Sequence, residues 1–458
     1  MDARPNILLI LSDDHGQWAM GAYGNEELHT PNFDYLAATG VLMENAFTPI
    51  PVCSPARASL FTGRLPSQHG LHDYLASGDP EIGATVWLQD EVTLGQLLTA
   101  EGYQAAYCGK WHMGKDEVPQ PGFDTWFTLG HDYPVEHGGA HRYCDNGRYR
   151  VIEGYKTRII TDQAIQFLRS RDSERPFFLV AGFTSTHSPW RDHPQRLVEE
   201  YRSCSFVDVP PDAAYPFGRQ NLESTFPTRD NPREALAQYY AAVTQIDEAV
   251  GELVDELDAQ GLRQDTLVVY TSDHGLCCGH HGIWGKGNGT LPLNMVEESI
   301  RVPLLFNQPG RLYGSQRRAE FVDHLDLFQT LAEAAGIALP QRNYPGRSYL
   351  GLLDNTAAYP EWRREQVCEY GPLRMIRTEH YKLLLRHPDG QHELFDLEAD
   401  PRENVNLYRE PGHELIIARL TAKVENYFGR YEDERKSGLR AAELPRHNFS
   451  EAWRSEEL

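Results

Sequence analysis

Asn6-Ile7-Leu8-Leu9-Ile10-Leu11-Ser12-Asp13-Asp14 is the stretch on which the fold turns. Five apolar residues in a row, with neither helical nor alternating spacing, read as a strand buried on both faces of a sheet. The run is too short to span a membrane and has no cleavage site behind it. Two adjacent carboxylates then stand at its carboxyl end. Comparable runs recur at 105–109, 177–182, 266–272 and 302–306, and helical patterns separate them at 32–40, 93–101, 160–170, 235–261 and 325–335. Strand and helix alternating over most of the chain predict a three-layer α/β domain with a mostly parallel central sheet. Polar residues gather just after the strands: Asp13 and Asp14, Lys110 and His112, His187, Asp273 and His274. Open α/β sheets bind ligands at the carboxyl ends of their strands, so these groups belong to one edge.

The texture changes near residue 340, where Pro340, Pro345 and Gly346 interrupt the helical pattern. The segments 366–377, 381–386 and 393–397 read as short antiparallel strands, and 412–431 as a helix. The expected division is therefore an α/β domain over 1–340 and a smaller α+β subdomain over 341–458. The 458 residues carry a net charge of −23, which repels nucleic acid and anionic lipid, so neither is an expected partner. An anionic substrate would need cations gathered locally. No secretory signal is visible, and the expected compartment is the cytoplasm. Seven cysteines, with no CxxC pair, argue against a disulfide framework. Cys277-Cys278 reads as two small residues in a tight loop in preference to a vicinal disulfide. Oligomeric state has no signature here.

Asp13-Asp14 and Asp273-His274-Gly275 place carboxylates at two strand ends, the arrangement a divalent cation with oxygen ligands needs. The histidine is unusual for calcium and leaves manganese or magnesium open. Lys110 and His112, two apart on an extended segment, point to one side. Lys286 lies in Gly285-Lys286-Gly287, where glycine neighbours allow backbone to approach a ligand closely. Cys53-Ser54-Pro55-Ala56-Arg57, followed by Gly63 and His69-Gly70, contains Cys-x-Pro-x-Arg, the signal for oxidising a thiol to the aldehyde Cα-formylglycine. Pro55 suggests that a helix starts here, adding positive potential at residue 53.

Together these residues resemble the type I, formylglycine-dependent sulfatases of the alkaline phosphatase superfamily. The resemblance runs over most of the chain. It includes Pro5-Asn6-Ile7 through Asp14, Thr30-Pro31-Asn32, the Cys53 signature, Gly109-Lys110-Trp111-His112 and Ser272-Asp273-His274-Gly275 through Lys286. It continues in Glu298-Ser299-Ile300-Arg301-Val302-Pro303, Leu394-Phe395-Asp396-Leu397 and Asp400-Pro401. The resemblance implies an alkaline-phosphatase-like fold and one divalent metal, usually calcium, on Asp13, Asp14, Asp273, His274 and the residue at 53. Cys53 would be converted by a formylglycine-generating maturation enzyme and held by Arg57 and Lys110. His112 would bond its hydroxyl and act as base. His187 and Lys286 would bind sulfate oxygens, and one of them would protonate the leaving alkoxide.

The implied function is hydrolysis of a sulfate ester, with release of inorganic sulfate from a sulfated sugar or aryl sulfate. Two alternatives share the motifs: a phosphonate monoester or phosphodiester hydrolase, to which His274 also points, and a catalytically silent glycan-binding relative with a broken ligand set. Loops at 69–74, 130–142 and 279–281 are rich in His, Asp and Tyr, which suit hydroxyl bonding and stacking on sugar rings. His72, Asp73, His137, His141 and Arg142 are the expected substrate contacts. The polarity of these loops favours a sulfated saccharide over a simple aryl sulfate.

Overall fold

A computed structural model describes residues 4–76, 78–130, 137–209, 216–221, 231–356, 361–388 and 390–454. Its centre is a ten-stranded sheet. The strands are β1 (Asn6–Ser12), β2 (Val41–Phe47), β3 (Gln104–Gly109), β4 (Thr125–Leu129), β5 (Ala140–Asp145), β6 (Arg148–Glu153), β7 (Phe177–Gly182), β8 (Thr266–Ser272), β9 (Leu304–Asn307) and β10 (Gln316–Asp323). Their spatial order is β10-β2-β9-β8-β1-β7-β3-β4-β5-β6. The middle of the sheet, β8-β1-β7-β3-β4, is parallel, whereas β9 and the β5-β6 hairpin are antiparallel insertions.

The period of two sorts β1 between two cores. Leu8 and Ile10 face one, and Ile7, Leu9 and Leu11 face the other. The first core is closed by helices α1 (Pro31–Ala38), α4 (Lys156–Ser170), α5 (Gln195–Tyr201) and α6 (Pro232–Ala259). The second is closed by α2 (Cys53–Thr62), α3 (Leu94–Ala100) and α7 (His324–Ala334). This is the expected three-layer α/β architecture. Truncating a side chain as buried as Leu9 or Ile10 costs about 2–5 kcal/mol, so both faces hold β1 in place.

Register then decides the site. Ser12 pairs with Ser272, and Leu11 pairs with Gly182, which in turn pairs with Gly109. Asp13, Asp273 and Lys110 therefore leave the sheet side by side. Gly109 has φ +121°, and a Cβ there would lie 1.9 Å from the Gly182 carbonyl oxygen. Only glycine lets the two strand ends approach this closely before the chain turns into Lys110.

Tyr349, Leu350, Leu352, Leu353 and Trp362 still pack in the second core before the chain enters a four-stranded antiparallel sheet. Its strands are β11 (Glu365–Tyr370), β12 (Leu373–Thr378), β13 (Tyr381–Arg386) and β14 (Glu393–Asp396). The single strand expected over 366–377 is thus two, turned at Gly371-Pro372 with Gly371 at φ +52°. One face of this sheet packs Cys368, Met375, Leu384 and Phe395 on Phe47, Ile50, Val52 and Ala56. The other packs Val367, Ile376, Leu383 and Leu394 on Leu420, Val424 and Phe428 of helix α8 (Glu414–Tyr431). Since Ala56 lies on α2, the small sheet backs the helix that carries Cys53. All seven cysteines are free thiols, and among the described residues no helix is long and apolar enough to cross a membrane.

Candidate active site

Helix α2 starts at Cys53 itself, directly after extended Val52. The unpaired N–H groups of its first turn and its dipole favour negative charge at residue 53. The whole helix is buried, Arg57 included. Such a guanidinium needs fixed acceptors, and it has them: Nε donates to Asp273 Oδ2 at 2.8 Å and Nη1 to the Lys110 carbonyl at 2.6 Å. Arg57 thereby ties the nucleophile helix to two strand ends.

Around the Cys53 sulfur, Lys286 Nζ lies at 2.9 Å and His274 Nε2 at 3.4 Å. Lys286 also donates to Asp14 Oδ1 at 2.7 Å, and Lys110 pairs with Asp13. His274 Nε2 lies 3.2 Å from Asp14 Oδ1. Ligand atoms of Asp13, Asp14, Cys53 and His274 fall within 4.8 Å of one another, all buried. Asp13 Oδ1 is buried with no hydrogen-bond partner. An orphaned carboxylate oxygen in such a donor set fits a divalent cation. Asp273 sits beside this group with its oxygens engaged: Oδ2 on Arg57, and Oδ1 on the backbone N–H of Asp14 (3.3 Å) and of His274 (2.9 Å).

The electrostatics follow from burial against compensation. Burial alone would raise the Cys53 thiol, but Lys110, Lys286 and His274 hold it well below its ordinary range. Burial also works against ionised Asp13; Lys110, His187 and Arg57 win and hold it down. Asp273 is pushed up by burial and by Asp13. His274, despite burial, is raised to about 9 by Asp273. The site therefore stabilises an anion at residue 53 while keeping its carboxylates compensated.

Two histidines flank this cluster. His112 is buried, and burial and then Lys110 depress it to about 4, so it is neutral. Its Nε2 faces the Leu75 carbonyl at 3.0 Å. A carbonyl only accepts, so Nε2 carries the proton and Nδ1, buried without a hydrogen bond, is the basic nitrogen. His187 is half-buried, with Nε2 4.0 Å from Asp14 Oδ2 and Nδ1 donating to the Ser188 carbonyl at 2.7 Å. Burial works against the charged ring, but Asp14 outweighs it and raises the His187 pKa, which favours the protonated form. Asp14 and His112 both have left-handed backbone, φ +65° and +59°. Such conformations in non-glycine residues concentrate where a site constrains the chain.

A cavity of about 260 Å³ opens onto this edge, lined by Asp13, Tyr74–Ala76, Lys110, His112, His137, Lys156, Thr184, His187 and Ser188. Of the substrate contacts expected from the sequence, His137 lines it. His72 is buried against the Lys436 carbonyl, and Asp73 accepts from Tyr370 Oη at 2.6 Å. His141 packs behind His137 on β5, and Arg142 lies over the Tyr149 ring at the sheet margin. These four do not line the cavity. Residues 131–136 of the loop expected to bind substrate lie outside the described residues. Tyr74 belongs to the loop at 69–74 expected to meet the substrate; Lys156, Leu75 and Ala76 were not anticipated. Lys156 has one legible mark, a cation at the first position of a 15-residue helix, where the dipole disfavours it. A backbone wall leaves no mark at all.

The family model described as Sulfatase matches residues 5–337, and one described as N-sulphoglucosamine sulphohydrolase, C-terminal, matches residues 279–429. An ulvan-active sulfatase of Formosa agariphila is 31% identical, the alignment covering 97% of this chain and 85% of that protein. A choline-sulfatase of Rhizobium meliloti is 30% identical, with 92% and 85% covered. A solved structure of a protein in complex with its substrate D-glucosamine-2-N,6-O-disulfate superposes with a TM-score of 0.81. It is 25% identical, and 94% of this chain and 98% of that one are covered.

Proposed function

The chain is an enzyme of the sulfatase family, and from that premise we propose that it hydrolyses a sulfate ester of a saccharide at residue 53. The proposal includes oxidation of Cys53 to Cα-formylglycine and one divalent cation, calcium first, held by Asp13, Asp14, His274 and residue 53, with Asp273 joining them when it exchanges a hydrogen bond for the cation. The observation that carries it is the buried cluster in which Lys286 and His274 converge on the Cys53 sulfur, 2.9 and 3.4 Å away. That sulfur stands in for the hydroxyls of the hydrated aldehyde.

When bound, the cation would supply Lewis-acid stabilisation of sulfuryl oxygens. The hydrated aldehyde would supply a nucleophilic hydroxyl in line with sulfur and a second hydroxyl whose proton can be removed. The chain's own side chains do the rest. Lys110 and Lys286 offset negative charge as it moves onto the sulfuryl oxygens; both are buried, where such donors act strongly. Arg57 fixes helix α2 against Asp273 and the Lys110 carbonyl, so the reacting atom is held in place. His187 lines the cavity, and in its protonated form, favoured by Asp14, it can deliver the Nε2 proton to a departing alkoxide. His112 offers a lone pair at Nδ1 toward residue 53.

The leaving group faces Tyr74, His137, Lys156 and the 74–76 backbone. These are hydrogen-bond donors and acceptors with a buried cation among them. Such a wall suits sugar hydroxyls. It does not suit a quaternary ammonium, which is recognised by aromatic faces; Tyr74 is the one non-histidine aromatic among the described lining residues. A saccharide is therefore favoured over a choline ester.

The test is a screen of matured enzyme for free sulfate on sulfated mono- and oligosaccharides, with aryl sulfate, choline sulfate, a phosphonate monoester and a phosphodiester alongside. The peptide containing Cys53 is weighed in the same preparation. A sulfated sugar should turn over fastest. Faster turnover of the phosphonate or phosphodiester than of every sulfate ester would overturn the substrate class, and activity from a chain whose Cys53 peptide is wholly thiol would overturn the nucleophile.

A further inference from the structure

His112 owes its proton arrangement to one backbone carbonyl, that of Leu75. What holds that carbonyl is unusual for a group at the active edge. The Leu75 N–H donates to Ser54 Oγ at 3.0 Å, one residue after Cys53. Further supports come from the far end of the chain. Ala76 N–H donates to the His447 carbonyl at 2.9 Å, Asn448 Nδ2 donates to the Tyr74 carbonyl at 3.0 Å, and Tyr74 Oη shares a hydrogen bond with Ser450 Oγ at 2.9 Å. Leu75 is thus bracketed on both sides by residues pinned to 447–450.

That segment is itself anchored. His447 is fully buried, bonded through Nδ1 to Glu451 Oε1 at 2.6 Å and stacked on Trp87 with ring centroids 4.9 Å apart. Asn448 is buried too. A neutral imidazole has two tautomers that differ little without a partner, so a single well-placed acceptor selects between them. Were the wall to slide, Nε2 would lose its acceptor and the proton could move to Nδ1, closing the lone pair on a ring that interacts with the Cys53 side chain.

We infer that the segment His447–Ser450 is a positioning element for His112: it holds the Tyr74–Ala76 wall so that the Leu75 carbonyl keeps the ring proton on Nε2 and leaves Nδ1 open toward residue 53. The role given to His112 rests on the sulfatase reading; the tautomer and its support do not.

The experiment uses the full chain with Asn448→Ala and Ser450→Ala combined, and Ser450→Ala alone in case the double variant does not fold. Ring nitrogens are observed by ¹⁵N–¹H correlation in histidine-labelled, unmatured protein, with the His112 signals assigned by their loss in His112→Gln. Wild type should show the Nε2–H pattern. The variants should show a mixture, with faster deuterium uptake in the peptide containing Ala76. Ser450→Thr, which keeps the hydroxyl, should behave as wild type. In matured enzyme kcat should fall on the order of tenfold, the scale of one hydrogen bond, with KM within about twofold. A wild-type tautomer pattern in the variants, or a mixed pattern with unchanged kcat, would overturn the inference. Failure of matured wild type to release sulfate would instead strike the functional reading, because the ring spectra need neither oxidation nor substrate.

Discussion

Two of the charge clusters packed within this fold are built for opposite ends. At the strand edge, Asp13, Asp14 and Asp273 meet Lys110, Lys286, Arg57 and His274 around Cys53, beside an open cavity and with one carboxylate oxygen unpartnered. Where the small sheet meets the main domain, Glu297, Glu298 and Glu403 meet Lys382, Arg377, Arg301 and His281. Lys382 lies 2.7 Å from both Glu297 and Glu403, and His281 is 2.6 Å from Glu298. Arg301 and Arg377 each reach Glu297 at 3.2 Å. This junction cluster also offers a carboxylate-histidine group close enough to hold an ion, and in both clusters every carboxylate has a cationic partner. The lesson is that acidic density does not mark a reactive site. What distinguishes the edge cluster is its convergence on one polarisable atom with solvent access on one side.

The sharpest way to break that contrast is Cys53→Ala in matured preparations. Sulfate-ester hydrolysis should fall by roughly 10⁴-fold, the scale of losing a nucleophile, with an unchanged melting temperature; measurable activity near wild type would dissolve the distinction. Next comes the same substitution in both clusters. Lys286→Met should reduce kcat/KM by roughly 10³-fold with little change in stability when calcium is saturating. Lys382→Met leaves Glu297 and Glu403 buried without their shared ammonium and should cost about 3–5 kcal/mol in urea unfolding, while folded protein keeps its kcat. If the two variants exchanged these phenotypes, the assignment of roles would be reversed.

A pH series sharpens the comparison at a buried carboxyl outside both clusters. Glu369 on β11 accepts from the backbone and hydroxyl of Ser67, and burial, against those hydrogen bonds, pushes it up to about 7. A folded-state pKa raised above the unfolded value means that its stabilising contribution is complete below about pH 4.5 and is lost as pH rises through 7. Glu369→Gln should therefore gain on wild type by about 3 kcal/mol between pH 5 and 8, read as diverging urea midpoints; parallel curves would refute the shift. Smallest on stability is the chelator effect. Stripping the matured enzyme should abolish turnover and lower stability by about 2–3 kcal/mol relative to calcium at a hundredfold excess over Kd, and Lys382→Met should show the same difference.

Legibility in the sequence followed burial. β1, β7 and β8 are buried almost throughout and read as unbroken apolar runs. β6 is exposed at most positions, and β10 begins with Gln316, Arg317 and Arg318, so these margins looked like loop. β2 is interrupted by half-buried Glu44 and Asn45. In the site, groups that follow a buried strand could be picked out because strand ends converge. His72 and Asp73 share the same composition cue as His137, but face Lys436 and Tyr370 and not the cavity. Composition cannot say which way a loop faces. The Leu75 carbonyl and its support from residue 448 are 373 positions apart in chain and carry no residue-type signal.

The register of β1 has a consequence for timing. Its partner β8 ends at Ser272, so the central strand lacks one neighbour until that part of the chain has been made. Cys53 ends up buried on α2 in the finished fold. Between the emergence of the Cys53 segment and that of β8 lie roughly 200 residues of synthesis, some 10–40 s at ~5–20 residues per second. On the proposed chemistry, oxidation has that interval in which to act before the sheet closes over its target. The fraction of active enzyme is then set by a race between ribosome and oxidase, and slowing elongation downstream of the signature would raise it without changing a single side chain.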